Sequence, residues 1–301
     1  MKINKKTMIT TTKSHIRFDW AAKKMLRDKA NFGILEGFLS ELLKDNIKIN
    51  NILESETNKE TGDDKYNRVD LLVQNSKKEL IIIEIQNTRE LDYLFRLLFI
   101  TSKAITENMV EGSSYSSVIK VITISVLYFD LGQGNDYIYH GTTNFFGLHS
   151  KDQLQLSEGQ KKLFQKQDVQ QIFPEHYLIR ISQFDEKNFT LTQDKFDEWV
   201  YFLKTSEIKD SFTAKGLDEA RKKLTIMNMP TEEQKAYVRF LDKISTEASV
   251  AETLKFEAEQ KVIKNAKLQI AKSMLQNNEP IEKIKIYTEL TDNEIKSLEI
   301  E

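Results

Sequence analysis

Arg68-Val-Asp-Leu-Leu-Val73 and Leu80-Ile-Ile-Ile-Glu-Ile-Gln86 are two strand-like apolar runs. Each carries an acid or amide where a core residue would be expected. Asp70 sits among Val69, Leu71, Leu72 and Val73, and Glu84 sits among Ile81, Ile82, Ile83 and Ile85. Burying an ionised carboxylate in such surroundings costs several kcal/mol unless it is paired or bound to a cation. Two carboxylates about 4 Å apart, at an effective dielectric near 20, also repel by roughly 4 kcal/mol. A site with that cost usually holds a metal ion or moves protons.

Between the runs, Asn75-Ser-Lys-Lys78 is a turn signal, which predicts an antiparallel hairpin. Side chains alternate along a strand, so Glu84 and Gln86 share a face with Leu80 and Ile82. Arg68, Asp70 and Leu72 share a face of the first strand. A three-residue loop, Ser76 to Lys78, sets Asp70 opposite Glu84 and Arg68 opposite Gln86. A four-residue loop turns Asp70 away from Glu84. We expect the three-residue register, or a bulge that restores it.

Around the hairpin, Asp19 to Lys44 reads as helix broken near Asn31-Phe-Gly33, and Ile47 to Glu56 as a strand. Leu91 to Met109 reads as an apolar helix and Val118 to Phe129 as a buried strand. The order helix, strand, strand, strand, helix, strand predicts a mixed α/β core. Short strands are expected at Tyr137 to Phe146 and Tyr177 to Phe184. Residues 207–301 are expected to form an all-helical region after a domain spanning 1–206. It contains a long charged helix from Pro230 to Gln276 and a helix-turn-helix-like end, in which Thr291 and Glu294 match a capping box.

The 301 residues are 40% apolar and 30% charged, an ordinary globular balance. The absence of cysteine excludes disulfides, thiolate metal sites and a cysteine nucleophile. No apolar run approaches the roughly 20 residues of a membrane span. The N-terminus lacks the apolar stretch of a signal peptide, so a cytoplasmic location is expected. The net charge of −2 argues against a wholly basic surface, but 44 lysines and arginines leave room for a local basic groove.

Asp70 with Glu84-Ile-Gln86 has the shape of a phosphodiesterase metal centre. Hydrolysis needs a divalent cation to polarise the phosphate and activate water. Magnesium accepts one or two carboxylates with waters and substrate oxygens, and manganese is an alternative. Asp70 and Glu84 would supply the carboxylates, the Ile85 carbonyl a further ligand, and Gln86 would orient water or a phosphate oxygen. Arg89, Arg96 and Lys103 recur every seven residues, which predicts a helical stripe. Arg89 and Arg96, nearest the hairpin, and Arg68 are the candidate phosphate contacts. The same stripe is equally compatible with a solvated helix face. The four histidines have no ligand-like spacing.

From about residue 15 to 206 the chain resembles the bacterial PD-(D/E)XK nuclease family transposases, also called recombination-promoting nucleases. The residues that carry the resemblance are Phe18-Asp-Trp20, Phe32 through Leu43, Asn67-Arg-Val-Asp70, Ile83-Glu-Ile-Gln86 with Asn87 and Arg89, Tyr115 through Phe129, Tyr139-His-Gly141 and Trp199. The resemblance implies a restriction-endonuclease-like core, a mixed sheet flanked by helices, and magnesium-dependent DNA cleavage. It matches Asp70 to the metal-binding aspartate and Glu84 to the acid of the E-x-K element. Gln86 stands where the wider superfamily has lysine. The superfamily often adds a glutamate from the first helix; Glu36 is our choice, with Glu41 and Glu56 as alternatives. The helical tail has two readings, DNA binding as a small helix-turn-helix or association with itself or a partner; Lys296 is the one basic residue of its final helix, so association is the expectation. The competing hypothesis is a weak or inactive nucleic-acid-binding or assembly protein on the same fold.

Overall fold

A computed structural model describes residues 15–24, 28–53, 70–190, 194–225 and 230–298. The chain forms α1 (Phe18–Lys24), α2 (Phe32–Leu43), β1 (Ile49–Ile52), β2 (Leu71–Asn75), β3 (Leu80–Gln86), α3 (Tyr93–Glu107) and β4 (Val121–Leu127). It continues with β5 (Ile138–Gly141), α4 (Glu158–Phe164), β6 (Glu175–Arg180), α5 (Phe196–Thr205) and α6 (Leu217–Lys223). The six strands make one mixed sheet in the order β1-β2-β3-β4-β6-β5. The β3–β4 and β4–β6 pairs are parallel and the other pairs antiparallel. Every residue of β4 is buried, Thr123 and Ser125 included, as expected for a central parallel strand rich in valine and isoleucine.

The hairpin adopts the three-residue register. Leu71 pairs with Ile83 and Val73 with Ile81, and the Asn75 N–H donates to the Glu79 carbonyl at 3.1 Å. Asn75 makes the loop: its Oδ1 accepts from the Lys77 and Glu79 N–H groups at 3.0 and 2.9 Å. Lys78 then takes the left-handed conformation, φ 61°, that a three-residue hairpin needs at its last position.

Alternation sends Leu80 and Ile82 into a cluster with Leu97, Ile100 and Ala104 of α3. Glu84 and Gln86 lie on that same sheet face, so they emerge beside the first turns of α3. Ile81, Ile83 and Ile85 are buried on the opposite face. A separate aromatic cluster joins Phe18 of α1, Phe38 of α2, and Trp199 and Phe202 of α5.

The chain divides into a unit ending at Gln234 and a unit beginning at Lys235, whereas the sequence expectation set the boundary after residue 206. Residues 213–217 explain the longer first unit. Glu198 accepts from the Thr213 and Ala214 N–H groups, both at 2.7 Å. The Trp199 Nε1–H donates to the Lys215 carbonyl at 3.1 Å. Gly37 lets this turn approach α2, because a Cβ there would lie 2.3 Å from the Lys215 carbonyl oxygen.

The second unit holds most of α7 (Thr231–Gln276), then α8 (Ile281–Thr288) and α9 (Asp292–Ser297). Ala271, Ile284, Leu290 and Ile295 form its small core. Thr291 caps α9 in a capping box with Glu294. Among the described residues no helix is long and apolar enough to cross a membrane.

Candidate metal and nucleic-acid site

The site lies at the open end of the hairpin. β2 begins at Leu71, so Asp70 stands just before the ladder, and its N–H donates to Glu84 Oε1 at 3.2 Å. The Asp70 carboxylate reaches across the strands: Oδ2 accepts from the Ile85 N–H at 2.7 Å. The structure therefore brings Asp70, Glu84 and the Ile85 backbone together.

Glu84 is 2% exposed. Burial first, and then the charge of Asp70, push its carboxyl up to about 7; the Arg96 guanidinium and the Asp70 N–H pull the other way without cancelling that rise. Arg96 comes from the first turn of α3, with Nη2 3.1 Å from Glu84 Oε2. Its Nη1 lies 3.0 and 3.3 Å from the two oxygens of Glu90. Burial works against the Arg96 charge, but Glu84 and Glu90 more than offset it and raise its basicity. Gln86 completes the chain, its Nε2 donating to Glu90 Oε1 at 2.6 Å. The Tyr93 and Ser125 hydroxyls are buried beside Glu84, mutual neighbours whose geometry falls short of a hydrogen bond. Ser125 is opposite Glu84 in the parallel register, and burial pushes the Tyr93 hydroxyl upward.

Several expected site residues are placed differently. Arg96 is engaged by two carboxylates instead of being a free phosphate contact, because its position on α3 faces the β3 acids. Arg89 precedes α3, so it does not belong to a helical stripe with Arg96 and Lys103; it is exposed and acts on Asp130. Lys103 pairs with Glu107 at 3.5 Å. Glu36 accepts from the Ile49 N–H at 2.9 Å and pairs with Lys48 at 2.7 Å. Ile49 is opposite Asn75, at the turn end of β2, so this anchor is roughly 17 Å from Asp70 along the strand. Glu41 accepts from the Lys215 N–H at 2.8 Å. Arg68 and Glu56 lie outside the described residues.

The structure adds residues that the sequence reading did not select. Glu90 links Gln86 to Arg96. Ser125 could have been found by the signal that found Glu84, a polar residue inside an apolar strand. On the α1 side, Asp19 is fully buried and accepts from Arg17 at 3.0 and 3.1 Å and from Asn87 Nδ2 at 3.1 Å. Arg17 also donates to Asn87 Oδ1 at 2.9 Å and stacks over Tyr128. This triad fixes the chain as it leaves β3, next to Gln86.

The residues fit a hard divalent cation. The donors are all oxygen, and burial together with the charge of Asp70 keeps the ionised form of Glu84 unfavourable even with Arg96 present. Two carboxylates form the set; among the described residues no group of three acids or histidines is arranged to hold a metal ion.

A family model described as PD-(D/E)XK nuclease family transposase matches residues 16–253. No curated protein and no solved structure gives a significant match to the chain.

Proposed function

Since the chain belongs to the PD-(D/E)XK nuclease family transposases, whose fold is restriction-endonuclease-like, we propose that it is a metal-dependent DNA endonuclease. The observation that carries this is the pairing of Asp70 with buried Glu84 at the end of the hairpin. PD-(D/E)XK nucleases generally use divalent metal ions. Asp70, Glu84 and the Ile85 carbonyl would hold the ion, magnesium with manganese as substitute. When bound, it would polarise the phosphodiester and make water a better nucleophile.

The chain's own residues do the positioning. The Ile85 N–H fixes one oxygen of Asp70, and the Asp70 N–H fixes one oxygen of Glu84. Glu90 holds the Gln86 amide, which orients water or a phosphate oxygen. Arg96 supplies the positive charge that Gln86 lacks. Arg89, exposed beyond β3, and Arg68 contact DNA phosphates. The protein acts in the cytoplasm in recombination, transposition or other mobile-element chemistry. It self-associates through its C-terminal helices, a role supported by exposed Leu254, Val262 and Ile270 on α7.

Supercoiled-plasmid nicking with magnesium or manganese tests the activity. The wild-type chain should nick, and Asp70→Ala and Glu84→Ala should not; equal cutting by all three contradicts the proposal. A second reading, a non-catalytic DNA-binding protein, is favoured by Gln86 and by the Arg96 pair on Glu84. DNA binding by the wild type without any nicking would select it.

A further inference from the structure

The proposed metal centre already contains a cation. Glu84 Oε1 accepts the Asp70 N–H, and Oε2 is 3.1 Å from Arg96 Nη2. A metal ion approaching Glu84 must share or displace one of these donors. The N–H belongs to the hairpin backbone and moves only with the strand. The guanidinium is on a side chain that has a second attachment, at 3.0 and 3.3 Å from both oxygens of Glu90. Arg96 can therefore leave Glu84 without losing its charge partner. Its planar fork is suited to two carboxylates at once, which a lysine could not bridge in the same way.

Resting on the reading that Asp70 and Glu84 bind a divalent ion, we propose that Arg96 is a displaceable internal counter-ion. It neutralises Glu84 before the ion arrives, competes with the ion for that carboxylate, and stays on Glu90 afterwards, beside Gln86. Glu90 is then a positioning residue that keeps Arg96 within the site. Without Arg96 the buried Glu84 carboxylate would lose its cationic partner beside the charge of Asp70, which is strongly unfavourable.

The test is manganese affinity of the full-length chain without DNA, read from the free-Mn2+ electron paramagnetic resonance signal. Thermal melts with and without the ion report folding. If the Arg96-bound state outweighs the open state about ten to one, Arg96→Met should bind Mn2+ about tenfold more tightly. Its melting temperature should also gain more from the ion than the wild type does. Arg96→Lys, which keeps the charge but not the fork, should fall between them and serves if the methionine variant does not fold. Glu90→Gln, which removes the second attachment, should bind Mn2+ more weakly than wild type. Lys103→Met removes one charge from the same helix and should change little.

Unchanged or weaker binding by Arg96→Met and Arg96→Lys overturns the proposal, as does an equal gain from Lys103→Met. Unchanged or tighter binding by Glu90→Gln overturns the assigned role of Glu90. Asp70→Asn separates the two levels of inference. If it binds Mn2+ like wild type, the metal-centre reading itself fails. If it loses Mn2+ while the Arg96 variants gain nothing, the counter-ion proposal alone fails.

Discussion

Asp70 and Glu84 are locked together through the backbone: the Asp70 N–H donates to Glu84 Oε1 at 3.2 Å, and Asp70 Oδ2 accepts from the Ile85 N–H at 2.7 Å. This reciprocal arrangement depends on the three-residue turn, because a one-residue slip would send Asp70 to the other sheet face. The site is therefore a property of hairpin register as much as of the two acids.

The first consequence is a pH dependence of stability. Glu84 has an ordinary value of 4.5 and titrates at about 7 in the fold. Between those values the folded chain keeps a proton that the unfolded chain releases. Stability should therefore fall as pH rises from 4.5 to 7 and level off above, by on the order of 3 kcal/mol. His15 and His176, both lowered first by burial, work in the opposite direction, so the readout is a difference. Melting temperatures in chelator should show wild type and Glu84→Gln diverging in favour of the variant towards pH 8. Parallel curves would refute the assignment.

Glu36 should matter for folding and not for metal. Glu36→Ala removes the acceptor of the Ile49 N–H and the partner of Lys48. The expected loss is about 1–3 kcal/mol of stability in urea unfolding, with Mn2+ affinity unchanged. A large drop in Mn2+ affinity in a folded Glu36→Ala chain would return Glu36 to the site.

Asp19 should be among the most sensitive positions in the first unit. Asp19→Ala removes the carboxylate shared by Arg17, Asn87 and the Trp20 N–H, leaving a largely buried guanidinium. The expected cost is about 3 kcal/mol or more, with Asp19→Asn milder. Chemical denaturation measures it, and a loss below about 1 kcal/mol would show that Arg17 is satisfied without Asp19.

Arg89 should act on DNA alone. Arg89→Met should weaken DNA binding across sequences and reduce the slope of log affinity against log salt by about 1. Fluorescence anisotropy at several salt concentrations measures it. An unchanged slope would remove Arg89 from the phosphate contacts.

The sheet core and the hairpin were legible because each depends on local alternation. Asp70 and Glu84 were visible as acids inside apolar strands, and parity alone related them. The long α7 and the Thr291 capping box were equally local signals. Glu90 and Arg96 were harder, since their bridge depends on where α3 begins relative to the end of β3; the seven-residue spacing alone placed Arg89 on a stripe, although it precedes both the expected start at Leu91 and the observed start at Tyr93. Asp19 and Asn87 stand among the residues that carry the family resemblance, but their contact was not legible. The two are 68 positions apart, and no periodicity records such a contact. The Glu36 contacts with Ile49 and Lys48 were not legible either, because helix position does not reveal which end of the sheet a side chain meets.

The most direct test of the metal centre is a count of manganese bound per chain at equilibrium, with folding monitored on the same samples. Asp70 and Glu84 together predict a site in the wild type that is lost in both Asp70→Asn and Glu84→Gln while the melts stay cooperative. Retention of that site with wild-type affinity in either folded variant would contradict the account.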